Sequence, residues 1–449
     1  MAWLGTWAKR VVISLDHNDI DAALSDFPHL IKISATSGYN NKDITFVFDE
    51  LQNNANRKKI AVTTDDGVTE CYVEIEHWDH ASEKAWLWVM VPDIDPGADT
   101  DLYLYYDSSH ADNTTYVGDP NSASAENVWD DDFKFVSHMR DDPDTSHVRD
   151  STSNDNDGAK RTTGEPAVTT LGKIDDAQDF DGSNDYISIP DNIVTLADDF
   201  TIEIWVNPNL NIENPRWLSL KDDTNNFQFG VFNDDKVFAR IFNAVNKTTT
   251  YTVPYGEWHY YVFTKESGTQ KILVDTVVRA HSSGGITAET TVSRIGAYDS
   301  ATSYTADGIL DEVRVSGSFR STAWISASYE SGRDDLNDFG EEETALVAPL
   351  VLPIGGIPLL ILRPPPRRVP FIKELITFGL IRRPFIRVGR LVGRIRRSFQ
   401  DEVVFSATAV KRIDEELSMG GFIVTDDIRN YAWEALFEAL EKEKEELIK

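Results

Sequence analysis

The sequence predicts a mainly β protein: two tandem β-sandwich domains, followed by a repeat-containing extended C-terminal segment and a terminal α-helix. Three observations predict it. Through the first 340 residues, short runs of apolar, β-branched and aromatic residues alternate with polar ones, the period-two pattern of half-buried strands. Gly, Asn, Asp and Pro separate those runs as turn formers. After residue 345 the composition changes abruptly and a 14-residue period begins. The chain's 449 residues exceed one ordinary core, and 11 Trp, 15 Tyr and 22 Phe within a 41% hydrophobic composition are enough to bury more than one. Cys71 is the single cysteine, which excludes a disulfide scaffold and cysteine-based zinc sites.

The first domain, residues 1–120, carries Val11-Val12-Ile13-Ser14-Leu15, Leu30-Ile31-Lys32-Ile33, Thr45-Phe46-Val47-Phe48, Cys71-Tyr72-Val73-Glu74-Ile75, Ala85-Trp86-Leu87-Trp88-Val89 and Leu102-Tyr103-Leu104-Tyr105-Tyr106. With turns at Asp66-Gly67 and Asp95-Pro96-Gly97 between them, these runs indicate an antiparallel sandwich. Its opening Trp3-Leu4, Trp7 and Arg10, followed by Asp26-Phe27-Pro28, resembles an uncharacterised β domain often found upstream of LamG-like domains.

The second domain spans residues 121–340. Phe200, Ile202, Ile204 and Val206 alternate with Thr201, Glu203 and Trp205, giving one apolar face, while Asp181-Gly182 and Asn184-Asp185 supply turn residues before Tyr186-Ile187-Ser188-Ile189. Five segments occur in the order found in the LamG-like, concanavalin A-like jelly roll, which the region of about 128–338 resembles. They are the Asp150–Gly158 turn, Phe180–Pro190, Phe200–Val206, Gly256-Glu257-Trp258-His259-Tyr260-Tyr261-Val262, and Gly308-Ile309-Leu310-Asp311-Glu312-Val313-Arg314-Val315. This jelly-roll fold hosts lectins, adhesion modules and glycosidases, so the resemblance specifies fold more sharply than function.

Residues 341–424 form an apolar, then basic, assembly or anchoring segment. Blocks of 14 align Phe371, Phe385, Phe399 and Ile413 in one column, Arg368, Arg382 and Arg396 in a second, and Glu374, Glu402 and Glu416 in a third. A short repeated unit buries its apolar side only by stacking on neighbours or on other chains, which points to a homo-oligomer assembled through residues 341–449. The uncharged stretch 344–362 has membrane-span length but contains Pro349, Pro353, Pro358 and Gly355-Gly356, so an extended linker is expected in place of a spanning helix. Residues 425–449 read as a helix, with Ile428, Tyr431, Ala435, Leu436, Ala439 and Leu440 on one face.

The formal net charge is −32. Residues 345–400 carry +10 and residues 401–449 carry −7, leaving −35 on the first 344. That field repels phosphate backbones and anionic lipid, so nucleic acid is excluded as a partner of residues 1–340 and membrane contact is disfavoured. No signal-peptide pattern opens the sequence, so classical secretion is not expected.

Concanavalin A-like glycosidases place two carboxylates across a cleft, commonly from alternate strand positions. No Glu-x-Asp-x-x-Glu string is present, and Asp311 and Glu312 are adjacent, so one is expected inside the sandwich and the other at its surface. No catalytic residue is assigned, and the chain is expected not to be an enzyme. The family resemblance implies a possible calcium site, for which Asp150, Asn154, Asp157 and Asp311 supply hard oxygen donors. It also implies sugar binding, for which Trp217, Tyr298, Tyr304 and Trp324 offer stacking surfaces. The expectation is a non-enzymatic adhesion protein whose partner is a glycan or host-surface receptor, on a virion or extracellular surface, as in a tail fibre or spike. A membrane-anchored adhesin and a polysaccharide hydrolase are the alternatives.

Overall fold

The computed structural model describes residues 2–209, 214–232, 234–241, 247–283, 292–298, 304–345, 350–354 and 357–361. The chain divides into two units, Met1–Ala345 and Leu346–Lys449. In the second unit the apolar stretch forms a two-stranded hairpin, in which Leu350–Ile354 pairs with Ile357–Ile361 and Pro353 stands opposite Pro358. The 14-residue columns at 368–416, the basic part of residues 341–424 and the helix expected at 425–449 lie outside the described residues. No helix among the described residues is long and apolar enough to cross a membrane.

The first unit holds two β-sheet-rich halves. In the N-terminal half, a sheet built on Lys9–Leu15, Thr100–Tyr106, Ile60–Thr63 and Glu70–Cys71 faces one of Leu24–Ile33, Lys84–Ile94, Val73–Asp79 and Val117–Gly118. Val11, Ile13, Leu15, Phe27, Ile31, Val62, Leu87 and Leu104 fill the space between them. Apart from Phe27 and Val62, these are apolar positions of the alternating runs, since successive residues of a strand face opposite sides; the run Thr45-Phe46-Val47-Phe48 is instead part of a short helix, Phe46–Leu51, that buries Val47, Phe48 and Leu51 on one side.

The second half consists of two eight-stranded sheets. One is centred on Asp307–Ser316 and Phe200–Pro208, and the other on Arg216–Lys221, Asn226–Val231 and Lys236–Ile241. Their facing sides enclose Phe180, Ile202, Ile204, Trp217, Phe227, Phe229, Tyr261, Phe263 and Leu310.

The chain then returns to the first half. Helix Thr322–Gly332 is capped by Ser321, whose side chain accepts from Trp324 N at 3.2 Å, and sets Trp324 edge-on to Phe27 at 4.9 Å. Strand Asn337–Thr344 follows and pairs antiparallel with Lys9–Leu15, becoming the outer strand of the N-terminal five-stranded sheet. The boundary expected at 340 therefore falls inside a strand that belongs to the first sandwich. Asn-Asp-Phe-Gly-Glu-Glu-Glu-Thr shows almost no apolar alternation, because an edge strand needs its backbone more than its side chains.

Candidate functional site

On the second sandwich, the face turned away from the core carries a polar row set by strand register. Ser188 is opposite Arg294, Arg294 opposite Ser219, Ser219 opposite Gln228 and Gln228 opposite Arg240. Their neighbours Ile187, Ile295, Leu218, Phe227, Phe229 and Ala239 all point into the core, so alternation sets the row on the opposite face of the sheet, where Ser219 and Gln228 are buried and Ser188, Arg240 and Arg294 are half-buried. A parallel row places Arg216 and Phe238 on either side of Gly230. Gly230 carries no side chain between them, and a Cβ there would lie 2.1 Å from the carbonyl oxygen of Pro215.

Arg216 organises this face. Its Nε donates to Gln228 Oε1 at 3.0 Å, and its guanidinium lies 4.4 Å from the Phe238 ring and 4.7 Å from that of Tyr304. The backbone N–H of Arg216 donates to the carbonyl of Tyr304 at 2.9 Å, tying the strand to the following loop. Tyr298 and Tyr304 have ring centroids 5.9 Å apart, and Tyr304 is exposed. At the other end of the row, Arg294 lies 4.2 Å over the Tyr186 ring. Burial, with the like charge of Arg240 adding, pulls Arg216 down to about 10. Three arginines, of which Arg216 is buried, thus lie along one face of a sheet in a strongly acidic chain, an arrangement suited to an anionic, ring-bearing ligand.

Of the four aromatics expected to offer stacking surfaces, Tyr298 and Tyr304 lie beside each other, and the two tryptophans lie elsewhere. Trp217 is a core residue, 4.3 Å from the Tyr261 ring and 5.6 Å from that of Phe229. Trp324 is buried against the N-terminal sandwich. Neither presents a face on which a sugar can stack. Arg216, Gln228, Arg240, Arg294 and Tyr186 were not singled out from sequence. The available signal was three arginines at polar positions of strands in a region otherwise dominated by acids.

The four residues expected to hold calcium do not form a ligand set. Asp150 accepts from the backbone N–H groups of Val136, Thr152 and Asn156 and from the Thr152 hydroxyl, while Asp157 Oδ1 accepts the N–H of Asp150 itself. Burial pushes Asp150 up to about 6 against the pull of those donors. Asn154 donates to the Phe133 carbonyl, and Asp311 accepts from Ile174 N and Glu312 N. These oxygens brace turns and strand ends, with their lone pairs directed at N–H groups. None of the three aspartates belongs to a cluster of three acidic or histidine side chains among the described residues.

Asp311 and Glu312 are both buried, which corrects the expectation of one inside and one outside. The reason is a β-bulge: Glu203 pairs with Arg314 and Trp205 with Asp311, and Glu312 adopts a left-handed backbone at φ 50°. The bulge aims Glu312 at the junction of the two sandwiches, where it meets His138, Glu74 and Glu76. His138 Nδ1 is 2.7 Å from Glu312 Oε1 and 3.5 Å from Glu76 Oε2, and its Nε2 is 3.5 Å from Glu74 Oε2. Arg314 pairs with Glu312 Oε2 at 2.7 Å and lies over the Trp88 ring at 4.3 Å. Burial alone would lower His138, and the charges of Glu312, Glu76 and Glu74 override it and hold the imidazole well above its ordinary value. Burial pushes Glu76 up to about 8, with Glu312 adding and His138 opposing. In sequence, Glu74 and Glu76 alternate with Val73 and Ile75 and read as a solvent face. Only the docking of the second sandwich buries them.

Residues 181–326 match the family described as the concanavalin A-like lectin/glucanases superfamily, and residues 56–135 match a domain of unknown function, DUF2341. No curated protein matches the chain. Among solved structures, it is similar to the binding domain of Paraclostridial Mosquitocidal Protein 1, at 13% identity and TM-score 0.36, over 45% of this chain and 52% of that one. Domain 4 of AbnA, a GH43 extracellular arabinanase from Geobacillus stearothermophilus, superposes at 18% identity and TM-score 0.33 over 43% of this chain and 96% of its own. Trypanosoma rangeli sialidase does so at 12% identity and TM-score 0.34, over 45% of this chain and 33% of its own. The chain thus spans about half the length of the first of these and a third of the last. With five motifs in order, two β-sheet-rich halves and both family matches, the chain carries a LamG-like, concanavalin A-like jelly-roll domain preceded by an uncharacterised β domain of the DUF2341 kind.

Proposed function

We propose that the chain is a non-enzymatic adhesion protein that displays the jelly roll to bind an acidic glycan, carried on a virion or other extracellular surface, as in a tail fibre or spike. The observation that supports this most is the polar row Ser188, Arg294, Ser219, Gln228 and Arg240, flanked by Arg216 stacked on Tyr304. Guanidinium groups pair with carboxylates in fork geometry, while tyrosine rings offer apolar faces to a sugar ring. In this reading, the C-terminal region joins copies of the chain, so that weak single sites act together.

The test is binding of the full-length chain to matched acidic and neutral oligosaccharides, such as uronate-containing or sialylated chains against their uncharged counterparts. Expected is a preference for the acidic member that weakens with added salt, and loss of about tenfold in affinity for Arg240→Ala and Tyr304→Ala. Equal binding to both members, or none, overturns the acidic-glycan reading. Release of reducing ends from either overturns the non-enzymatic one.

A further inference from the structure

The junction between the sandwiches contains a set of side chains whose potential ligand atoms converge. One atom each from Glu76, His138 and Glu312 lies within 4.8 Å of the others, and all three residues are buried. Each also faces a further partner within the junction. Glu76 Oε2 accepts from Trp88 Nε1 at 2.7 Å, and Glu312 Oε2 accepts from Arg314 Nη2 at 2.7 Å. His138 Nε2 faces Glu74 Oε2, a carboxylate itself fixed by Trp129 Nε1 and the Ser151 hydroxyl, each at 2.7 Å. A carboxylate behind the distal nitrogen of an imidazole is the arrangement that orients metal-bound histidines and raises their basicity.

One further observation points to a ligand. Glu76 Oε1 is buried without a hydrogen-bond partner, although a buried carboxylate oxygen left so is costly.

We propose that Glu76, His138 and Glu312 form a binding site for a zinc-class divalent cation that ties the two sandwiches together. The ligands come from strand Val73–Asp79, from the residue just after strand Phe133–Ser137, and from the bulge in strand Asp307–Ser316. One nitrogen and two carboxylates suit zinc or cobalt, whereas calcium takes six to eight oxygens. Ligand atoms around a tetrahedral ion at about 2.0 Å are about 3.3 Å apart, so the 3.5 Å separation of His138 Nδ1 from Glu76 Oε2 already fits. The 2.7 Å contact of His138 with Glu312 has to open by about half an ångström, exchanging a hydrogen bond for two metal bonds. Glu76 also borders a cleft of about 340 Å³ shared with His77, Arg140, Asp119 and Asp142.

The test uses the full-length chain, stripped by a chelator and titrated with Zn²⁺ or Co²⁺. Expected are about one ion per chain, intense visible Co²⁺ absorption of tetrahedral type, and a rise in melting temperature that Ca²⁺ at equal concentration does not give. Glu76→Gln keeps the shape and the Trp88 hydrogen bond and should weaken binding at least a hundredfold, while Glu74→Gln, which acts only behind the ring, should weaken it 10–100-fold. His17→Asn, in the exposed Asp16, His17 and Asp99 group, should change nothing. Absence of binding by the wild-type chain at tenfold molar excess overturns the site. So does an unchanged cobalt spectrum in Glu76→Gln, or loss of that spectrum in His17→Asn. If Glu76→Gln fails to fold, X-ray absorption of the zinc-loaded wild type decides: a single imidazole with oxygen ligands supports the site, and two or more imidazoles overturn it.

Discussion

His29 Nε2 lies 2.6 Å from Asn337 Oδ1, a buried hydrogen bond across 308 positions of sequence. Asn337 Nδ2 in turn donates to the carbonyl of Leu30, and Ser331 Oγ stands 3.1 Å from His29 Nδ1. The polar end of helix Thr322–Gly332 and the first residue of strand Asn337–Thr344 are thereby fixed to strand Leu24–Ile33. With one ring nitrogen donating and the other accepting, the imidazole is neutral.

Burial holds His29 down at about 4, and the bond to Asn337 opposes it only in part. Between pH 6.5 and 4 the unfolded chain takes up a proton that the native ring refuses. This contribution to stability is therefore fully present above pH 6.5 and is lost as pH falls toward 4. In His29→Gln that pH-dependent loss is absent. The stability difference between wild type and variant, measured by urea unfolding, should move by about 3 kcal/mol in favour of the variant across that window.

Phe339 is buried in the core of the N-terminal sandwich although it lies after the jelly roll in sequence. Phe339→Ala should cost about 3–5 kcal/mol. A chain ended at residue 336 loses the whole outer strand paired with Lys9–Leu15, and limited proteolysis should then cut first within residues 1–130.

Trp217 and Tyr304 separate packing from recognition. Trp217→Ala opens a cavity beside Tyr261 and should cost about 3–5 kcal/mol in denaturant unfolding. Tyr304→Ala is expected to stay within about 0.5 kcal/mol of wild type while weakening glycan binding on the same preparation.

Asp150 gathers four donors in its turn. Asp150→Ala should destabilise by about 2–4 kcal/mol, because buried N–H groups are left without an acceptor. Melting curves in calcium and in chelator should show the same loss.

Gly308 opens the motif that continues through Asp311 and Glu312, and its φ is 128°, where side chains are strained. A Cβ there would sit 2.3 Å from the carbonyl oxygen of Asn207. Gly308→Ala should lower the melting temperature by several degrees or more, since both backbone and packing must shift.

The sequence by itself determined the class of fold and the strands that carry it. Period-two alternation at Phe200–Val206 or Leu102–Tyr106 reports burial of one strand face, a local property that each strand carries in its own residues. It also named Tyr298 and Tyr304 among four candidate stacking aromatics, without saying which of them lie together. Tertiary structure decided the rest. Ser219, Gln228 and Arg240 are separate polar residues until register sets them in line. Glu74 and Glu76 look solvent-facing until a second sandwich covers them, and Glu312 joins them through a bulge that no alternation pattern records. Asn337–Thr344 gives almost no apolar signal because an edge strand is recognised through its backbone, whose hydrogen-bonding groups are the same whatever the side chains.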